Sequence, residues 1–492
     1  MDGPVATGTE PVRSGRTVRV RRPVRMETAR DATRTEAVAE AIRARIAARA
    51  LGPGARIPSV RGLAAQMGVS KSTVVEAYDR LVAEGAIAAR PGSGFYVAGT
   101  ARPLTLAEIG PRLDRAVDSL WVTRQSLEAG TGVPMPGCGW LPPSWLPDEA
   151  LRRALRGLAR GEAADLLAYD EPLGHAPLRR ALARRLHDRG IPAGPERIVL
   201  TDSATQALDL VARLLLEPGD PVLVDDPCYF NFRSLLQAHR ARLVGVPWTP
   251  AGPDLDAFAA ALRAHRPRLY VTNSAFQNPT GATMSAGIAH RLLRLAEAHD
   301  VLVVEDALFE DLDPDPAPRL ATLDGLDRVI AIGSFSKTLS AAVRCGYAAM
   351  RPDWVDRVVD LKLAASFGSG RLAAGLVHRF LADGSYRRAL DGLRARLADA
   401  MGATRRRLAA AGLTPWLEPR GGLYLWVSLP EGLDAAGIAR RALAEGVVLA
   451  PGNVFSLSQS AGSFLRFNVA QCADPKVFAV LERAMAAERA AR

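Results

Sequence analysis

The sequence predicts an α/β protein in two parts, a small mostly helical unit followed by a large unit built on a mostly parallel sheet. Within residues 35–99, apolar residues first recur at helical spacing, and two strand-like runs then flank a glycine-rich tip. From Pro134 onward, short apolar runs alternate with helical stretches such as 288–299, a pattern typical of parallel strands covered by helices on both faces. The strand-like runs are 198–200, 221–224, 269–272, 301–304 and 329–332.

Composition excludes several classes of protein. The chain has 492 residues, of which 48% are hydrophobic and 23% charged, as in ordinary globular proteins. No apolar run reaches the roughly 20 residues of a membrane span, and the N-terminus does not resemble a secretory signal. The four cysteines form no Cys-x-x-Cys pair, so we expect no metal site and no disulfides, and a cytoplasmic location. The net charge of +11 suits a polyanionic partner.

Residues 1–34 read as a disordered basic arm. Six arginines and no acidic residue lie between Pro11 and Arg25. Such an arm can follow the phosphates of a nucleic acid, and a solvated tail without a function is the alternative.

A helix-turn-helix is predicted next. Ile42 and Ile46 lie on one face of a first helix. Ser59 is placed to cap a second helix, and Gly68 makes the turn before a third that starts at Ser70. Two short helices joined by a glycine turn form a helix-turn-helix, whose second helix meets base edges and phosphates with its N-terminal end.

A wing completes this unit, since residues 85–90 and 92–97 read as two strands around the glycine-rich tip. The ordered motifs are Gly54-x-Arg56-Ile57-Pro58-Ser59-x-Arg61-x-Leu63-Ala64, Val69-Ser70-x-Ser72-Thr73-Val74 and Gly92-Ser93-Gly94-Phe95-Tyr96-Val97. Over residues 35–99 they closely resemble the winged helix of GntR-type bacterial repressors, which implies a double-stranded DNA operator as partner.

The predicted DNA contacts are Arg56, Ser59, Arg61, Ser70, Lys71, Ser72, Thr73, Arg90 and Gly92. For Arg61 the alternative is a solvated helix charge. Lys71 stands where arginine is frequent in the family, which weakens a bidentate contact with guanine. Residues 100–133 then read as a linker with a short helix between Leu113 and Leu127.

The large unit is organised around residues 333–347, which follow a predicted buried strand. Lys337 lies there between small hydroxyl residues, and Arg344 follows seven residues later. A lysine at a strand end can lose its proton and attack a carbonyl, while an arginine can bind a phosphate. Pyridoxal 5'-phosphate is an aldehyde that carries a phosphate, and a solvated loop lysine is the alternative. The pattern Ser-x-Ser-Lys followed by Arg-x-Gly resembles the lysine motif of fold-type I pyridoxal-phosphate enzymes, the class I/II aminotransferases.

This resemblance implies roles for other residues at strand ends. Ser203, Ala204 and Thr205 open a helix where the family binds the cofactor phosphate, although glycine is usual at the first two positions and simple capping is the alternative. Tyr229, in Asp-Asp-Pro-Cys-Tyr, would stack on the cofactor ring, unless it is an ordinary core tyrosine. Ser334 precedes Lys337 by three residues and belongs to the same cofactor set.

Two further residues would bind the ring itself. Asn278, in Asn-Pro-Thr-Gly, resembles the asparagine that donates to the ring's phenolic oxygen. Asp306 would keep the ring nitrogen protonated, with a helix cap as its alternative role. The tyrosine that normally follows the aspartate is absent, because Leu308 and Phe309 stand there. Loss of that hydroxyl puts efficient transamination in doubt.

Two residues extend the resemblance beyond the cofactor. Tyr169 lies in a segment resembling one whose tyrosine reaches the cofactor phosphate of the partner subunit, which implies a homodimer. Arg466 looks like the arginine that holds a substrate carboxylate, and a surface arginine is the alternative.

A GntR-type winged helix followed by an aminotransferase-like domain at 134–492 resembles the MocR-type regulators. The resemblance implies a cytoplasmic, head-to-tail homodimer that carries pyridoxal phosphate as an aldimine on Lys337 and senses the cofactor or a small amino compound. The alternative is a working aminotransferase on amino acids with an appended DNA-binding domain. A DNA-binding module on a scaffold without cofactor fits less well, because so many cofactor positions are filled.

Overall fold

The structure is a computed structural model that describes residues 34–47, 51, 55–90, 93–98, 117–118, 120–130, 132–316 and 318–491. The predicted basic arm up to residue 33, Gly92 of the wing and most of the predicted linker lie outside these residues. The chain forms two compact units, residues 1–110 and 111–492.

The small unit contains three helices and a two-stranded sheet among its described residues. These are α1 (Arg34–Ala47), α2 (Val60–Met67), α3 (Lys71–Ala83), β1 (Ile87–Arg90) and β2 (Gly94–Val97). Both predicted caps form: the Ser59 hydroxyl accepts from the Gly62 amide and the Ser70 hydroxyl from the Thr73 amide. Gly68 ends α2 at a φ of 65°, a left-handed conformation that glycine adopts without steric cost.

Packing holds these elements together. Ile42, Leu63, Val74, Tyr78 and Leu81 are almost completely buried in one core. Strands β1 and β2 pair antiparallel, with Arg90 opposite Gly94 at the tip. The helix-turn-helix and wing are therefore formed as the sequence predicts.

The large unit alternates helices and strands. Its helices are α4 (Trp121–Glu128), α5 (Asp148–Ala159), α6 (Ala163–Leu167), α7 (Ala176–His187), α8 (Ala204–Leu215), α9 (Phe230–Ala238), α10 (Leu255–His265), α11 (Ala286–Ala298), α12 (Leu320–Asp324), α13 (Pro352–Ser366), α14 (Arg371–Ala382), α15 (Ser385–Ala410), α16 (Ala435–Ala444) and α17 (Lys476–Ala490). Its strands are β3 (Ile198–Thr201), β4 (Pro221–Asp226), β5 (Arg242–Thr249), β6 (Gly252–Pro253), β7 (Leu269–Thr272), β8 (Leu302–Asp306), β9 (Val329–Ser334), β10 (Gly346–Ala349), β11 (Thr414–Pro415), β12 (Tyr424–Ser428), β13 (Ala450–Pro451) and β14 (Phe464–Asn468).

The main sheet has eight strands in the order β3-β10-β9-β8-β7-β4-β5-β6. Five adjacent strands of this sheet run parallel to one another, as predicted; in spatial order they are β9, β8, β7, β4 and β5. Strand β10 is antiparallel to both β3 and β9, and the sequence pattern does not separate it from the loop before it. Strands β4, β7, β8 and β9 are largely buried on both faces, which explains their unbroken apolar runs.

A second sheet has four strands in the order β11-β12-β14-β13. Strands β12 and β14 pair antiparallel, with Trp426 opposite Arg466. Both strands are almost entirely buried, so the polar side chains that they carry face a cavity or partners within the protein.

Part of the segment predicted as a linker is folded onto the large unit. Helix α4 lies in it, and Trp121 and Val122 of that helix belong to the main core of the large unit.

In the part of the chain that the structure describes, no helix is long and apolar enough to cross a membrane. All four cysteines are buried and carry free thiols.

Candidate cofactor site and candidate DNA interface

The predicted cofactor residues meet at the carboxyl ends of the parallel strands. A cavity of about 140 Å³ lies there. The predicted residues that line it are Ser203, Ala204, Thr205, Tyr229, Asp306, Ser334, Lys337 and Arg344. In open α/β sheets this edge is where ligands bind.

Lys337 follows strand β9 of the main sheet and is half-buried. Its amine donates to the Gly139 carbonyl at 2.6 Å. Burial lowers the pKa of Lys337 to about 8, an effect that the nearby Cys138 and Asp306 oppose and Arg466 reinforces. A lysine with a lowered pKa supplies more neutral amine near neutral pH, the form that attacks a carbonyl.

Asp306 ends strand β8 and is buried in the cavity wall. Its Oδ1 accepts from the Leu308 amide at 2.9 Å. Burial raises the pKa of Asp306 to about 7, although the Leu308 amide and Lys337 oppose the rise. The preceding Glu305 points away, where it accepts from the Leu320 and Ala321 amides at the start of α12. Only one of these two neighbouring carboxylates therefore reaches the cavity.

A candidate anion site lies in the wall of the same cavity. The N-terminal turn of α8 presents Ser203, Ala204 and Thr205 to the cavity. The Ser203 hydroxyl also accepts from the Gln206 amide, so it caps the helix while it lines the cavity. Arg344 stands nearby, and no carboxylate of the described residues lies within salt-bridge distance of it. Free helix amides and an unpaired guanidinium together favour a phosphate.

The backbone beneath this turn leaves no room for a side chain. A Cβ on Gly346 would lie 2.6 Å from the Ser203 carbonyl carbon and 2.8 Å from the Ala204 nitrogen. Strand β10 and the start of α8 can therefore approach closely only because residue 346 is glycine.

A smaller cavity of about 30 Å³ adjoins the first. It is lined by Gly139, Tyr229, Asn273, Asn278, Asp306, Leu308, Phe309, Lys337 and Tyr424. Asn278 is held through its backbone amide, which donates to Asn273 Oδ1 at 2.9 Å. Phe309 is buried and brings no hydroxyl, as the sequence indicates.

Arg466 is buried behind Asn278, and the alternative of a surface arginine is wrong. Only 1% of its surface is exposed. It donates to Asn278 Oδ1 at 2.7 Å and to the Gly137 carbonyl at 2.6 Å. Its guanidinium lies 4.4 and 4.7 Å from the ring centroids of Tyr424 and Phe455. Its Nε is buried without a hydrogen-bond partner among the described residues.

Tyr169 is a predicted cofactor residue that lies away from both cavities. It is 80% exposed and its ring contacts Phe367, with the centroids 5.0 Å apart. Within one copy of the chain it contributes nothing to the site described above.

The predicted DNA residues on α2 and α3 lie on the surface of the small unit. Arg61 is exposed in the first turn of α2, and Lys71 and Ser72 are exposed at the start of α3. The Ser70 hydroxyl forms hydrogen bonds with the hydroxyls of Ser72 and Thr73 and accepts one from the Thr73 amide. In this structure it therefore caps α3.

Two arginines lie at the wing. Arg90 stacks over the Tyr96 ring at 4.4 Å, and Arg56 is exposed and pairs with Tyr96 through its backbone. Together with Arg61 and Lys71, they provide the exposed cations on the wing and helix starts that a DNA interface needs.

Several residues around Lys337 were not predicted from the sequence. These are Gly139, Asn231, Asn273, Ser336 and Tyr424. Gly139 and Tyr424 come from segments distant in sequence, and only the packing of the second sheet against the first brings them together. The glycine pairs Gly137-x-Gly139 and Gly421-Gly422 were the available signals.

Pyridoxal 5'-phosphate fits this donor set. The cavity combines a lysine amine, a buried carboxyl, an aromatic ring and a candidate anion site. These are the groups that a phosphorylated pyridine aldehyde requires.

Comparison with known proteins gives the family. Residues 142–483 match the family "Aminotransferase class I and II", and residues 34–97 match "Bacterial regulatory proteins, gntR family". The chain is 32% identical over 449 residues to the HTH-type transcriptional regulator YdcR of Escherichia coli (strain K12), covering 88% of this chain and 94% of YdcR.

Aminotransferases are also similar to this chain. The 2-aminoadipate transaminase of Thermus thermophilus is 33% identical over 341 residues, covering 68% of this chain and 84% of that protein. The crystal structure of LysN, an α-aminoadipate aminotransferase of Thermus thermophilus complexed with N-(5'-phosphopyridoxyl)-L-leucine, has a TM-score of 0.69 at 29% identity. That match covers 77% of this chain and 97% of LysN.

The two family matches follow the predicted order and fall on the two units of the fold. The chain belongs to the class I and II aminotransferase family, in the form in which a GntR-family DNA-binding domain precedes the aminotransferase domain, as in the MocR-type regulators.

Proposed function

We propose that the chain is a DNA-binding transcription regulator whose large domain holds pyridoxal phosphate on Lys337 and responds to the cofactor or to a small amino compound. The observation that carries the proposal is the coexistence of two formed sites. One is an exposed helix-turn-helix with its wing, and the other is a half-buried lysine that lines a cavity together with a carboxyl and a candidate anion site. The proposed function gives a role to both sites.

Bound pyridoxal phosphate supplies an aldehyde for an amine and a ring that withdraws electrons. The chain's own residues do the rest. Lys337 provides the amine and holds or releases a proton at Nζ. Asp306 holds a proton for the ring nitrogen, and burial keeps its carboxyl away from water. The start of α8 and Arg344 bind the phosphate.

Arg466 would receive the carboxylate of an amino compound. It is a buried cation whose Nε is unpaired, and no carboxylate of the described residues forms a salt bridge with it. An incoming carboxylate would offset that charge at low cost, since the arginine is already desolvated. An amino acid therefore fits better as effector than a simple amine.

The proposed assembly is a cytoplasmic homodimer in which Tyr169 reaches the partner's cofactor phosphate. The 80% exposure of that tyrosine supports this arrangement, because an exposed aromatic side chain beside the exposed Phe367 gains most from a partner. Changes within the dimer would then alter how the two DNA-binding units are spaced, and operator affinity follows that spacing.

Trapping the cofactor tests the large domain directly. The sequence has four lysines, Lys71, Lys337, Lys362 and Lys476, so peptide mapping after borohydride reduction gives a clear answer. We expect phosphopyridoxyl label on Lys337 alone. Lys362 is the internal control, because it is also buried with a pKa lowered to about 8 but lines neither cavity. Label on Lys362, or none on Lys337, contradicts the proposal.

The alternative function is that of an active aminotransferase. The presence of Lys337, Asp306 and Arg466 favours it, and Phe309 weighs against it. Amino acids that change the absorbance of the bound cofactor without release of a keto acid indicate a sensor. Steady accumulation of keto acid under turnover indicates an enzyme.

A further inference from the structure

Asn273 connects the two residues that are expected to bind the cofactor ring. It follows the last residue of strand β7, where the chain leaves the main sheet toward Asn278. Asp306 is the last residue of the neighbouring strand β8. The Asn273 side chain donates through Nδ2 to the Asp306 carbonyl at 2.7 Å and accepts through Oδ1 from the Asn278 amide at 2.9 Å. One short side chain therefore bridges the backbones of both residues.

The bond to Asp306 extends the pairing of two strands by one residue. Strands β7 and β8 pair in parallel up to Thr272 and Glu305. Strand β7 ends there, and the Asn273 side chain takes the place of the next backbone donor to the Asp306 carbonyl. Because a buried carbonyl without a partner costs free energy, this bond helps to hold the end of β8, which carries the Asp306 carboxyl, in a fixed position.

The bond to Asn278 holds the turn that follows β7. Asn278 lies outside the helices and strands, so its amide takes a side-chain partner instead of a partner in a ladder. The Met284 amide donates to the Ser274 carbonyl at 2.8 Å and closes the same turn. Asn273 thus fastens the middle of the turn to the end of β7 and, through Asp306, to β8.

Asn273 itself has little freedom to move. It is 2% exposed, and its backbone amide donates to the buried carboxyl of Asp225 at 3.4 Å. It lines the smaller cavity together with Asp306, Asn278 and Lys337. A buried side chain whose two polar atoms are both paired within the protein is in place before a ligand arrives, and precise placement of neighbouring groups requires this.

We propose that Asn273 is a positioning residue that sets the spacing between the Asp306 carboxyl and the Asn278 side chain, which are expected to bind the nitrogen and the phenolic oxygen of the pyridine ring. These two atoms are rigidly spaced in the ring, so both are bound well only if their two partners are rigidly spaced too. Asn273 acts through these neighbours and not by contact with the ring. This inference rests on the proposed function, in which pyridoxal phosphate is the ligand of this cavity.

The test compares three ligands by absorbance titration of the full-length, cofactor-free protein. They are pyridoxal phosphate, an analogue with C–H in place of the ring nitrogen, and an analogue with hydrogen in place of the phenolic hydroxyl. The ratio of affinities for pyridoxal phosphate and each analogue reports the placement of one partner, and a general loss of affinity or stability cancels in it. Wild type should prefer pyridoxal phosphate over both analogues. Asn273→Ala removes both bonds and should lower each preference by about 3- to 10-fold, the effect of one hydrogen bond.

Two further variants complete the comparison. Asn453→Ala is the matched control, because Asn453 donates through its side chain to the Val117 carbonyl at 3.1 Å and lines neither cavity. Both preferences should keep their wild-type values in it. Asn273→Ser is the milder change if Asn273→Ala does not fold. The shorter serine side chain cannot span both partners, so at least one preference should fall.

The outcomes separate this inference from the proposed function. If wild type prefers pyridoxal phosphate but both preferences are unchanged in Asn273→Ala and Asn273→Ser, or only one falls in Asn273→Ala, the inference about Asn273 alone is overturned. If wild type binds pyridoxal phosphate no better than either analogue, the roles given to Asp306 and Asn278 in the proposed function are wrong, and the inference fails with them.

Discussion

In the cavity wall Asp306 is buried and Lys337 is half-buried, and removal from water favours the neutral form of each. It lowers the lysine's pKa to about 8 and raises the aspartate's pKa to about 7. For Asp306, the folded state holds a proton between pH about 4 and 7 that the unfolded state has lost, so its contribution to stability falls as pH rises through that window. For Lys337, the unfolded state is the more protonated between pH about 8 and 10.5, so stability rises there.

Asp306→Asn tests this account of the cofactor-free protein. The variant should lack most of the fall in stability between pH about 4 and 7 and should exceed wild type by on the order of 2 kcal/mol at pH about 7.5. Denaturant unfolding at several pH values measures this difference. The same variant should bind pyridoxal phosphate much more weakly, because the ring nitrogen loses its carboxyl partner.

Asp225→Asn is the matched control. Asp225 is also buried with a pKa raised to about 7, but it accepts from Tyr270 and Thr272 and lines neither cavity. Its replacement should affect stability while leaving cofactor affinity near wild type. Equal loss of cofactor in both variants would contradict the assigned role of Asp306.

At the scale of elements, the contact between strand β10 and helix α8 shapes the candidate anion site. Gly346→Ala places a methyl group 2.6 Å from the Ser203 carbonyl carbon, which pushes the first turn of α8 away. We expect a loss of about 1–3 kcal/mol in stability and at least roughly tenfold weaker binding of pyridoxal phosphate, because the helix amides leave the phosphate. Cofactor titration by absorbance measures the second effect.

Gly392→Ala provides the comparison for that variant. Gly392 lies within α15, and a Cβ there would meet nothing within 4 Å. Alanine should be neutral or slightly stabilising in that helix. Cofactor affinity that is unchanged in Gly346→Ala would show that the close packing beneath α8 does not shape the site.

Helices α2 and α3 carry the prediction for DNA. Arg61→Ala should weaken operator binding by about 1–3 kcal/mol and leave cofactor absorbance intact. Arg80→Ala is the control. Arg80 is an exposed arginine in the last turn of α3, away from the helix starts, and it pairs with Glu36 and Glu76. Its replacement should leave the affinity for DNA nearly unchanged. Fluorescence anisotropy at fixed salt measures the affinity of wild type and both variants for operator DNA. Equal affinities for Arg61→Ala and wild type would refute the predicted DNA contact of Arg61.

The elements could be predicted from the sequence wherever local rules decide them. Caps at Ser59 and Ser70, the glycine turn at Gly68 and the buried runs of the parallel strands depend on neighbours in sequence. The antiparallel strand β10 was missed, because nothing in Gly346–Ala349 reveals the direction of its neighbours.

The same distinction between local and long-range effects applies to the residues of the site. Residues at strand ends, such as Asp306 and Lys337, were identified from motif and position. Tyr424 and Gly139 were not, since Gly139 is 198 residues from Lys337 and 285 from Tyr424, and packing between two sheets brings the three together. Arg466 was named from motif order alone, and its burial between two rings depends on the same packing.

For the whole molecule, the proposal links an exposed DNA-binding unit to a buried cofactor site. A ligand shifts DNA affinity only if it binds two states of the protein unequally. Binding of pyridoxal phosphate at Lys337 would add a charged group at the start of α8. The expected consequence is a change in operator affinity, with typical coupling of about 1–3 kcal/mol.

The measurement that tests this claim most directly is the affinity of the full-length protein for DNA upstream of its own gene, at fixed salt, with and without pyridoxal phosphate. Wild type and Lys337→Ala are compared, with an unrelated fragment as competitor. We predict specific binding by both proteins, and a change in affinity or footprint with pyridoxal phosphate in wild type alone, by about 5- to 150-fold. Specific binding that pyridoxal phosphate changes equally in both proteins, or in neither, would contradict a sensor built on Lys337.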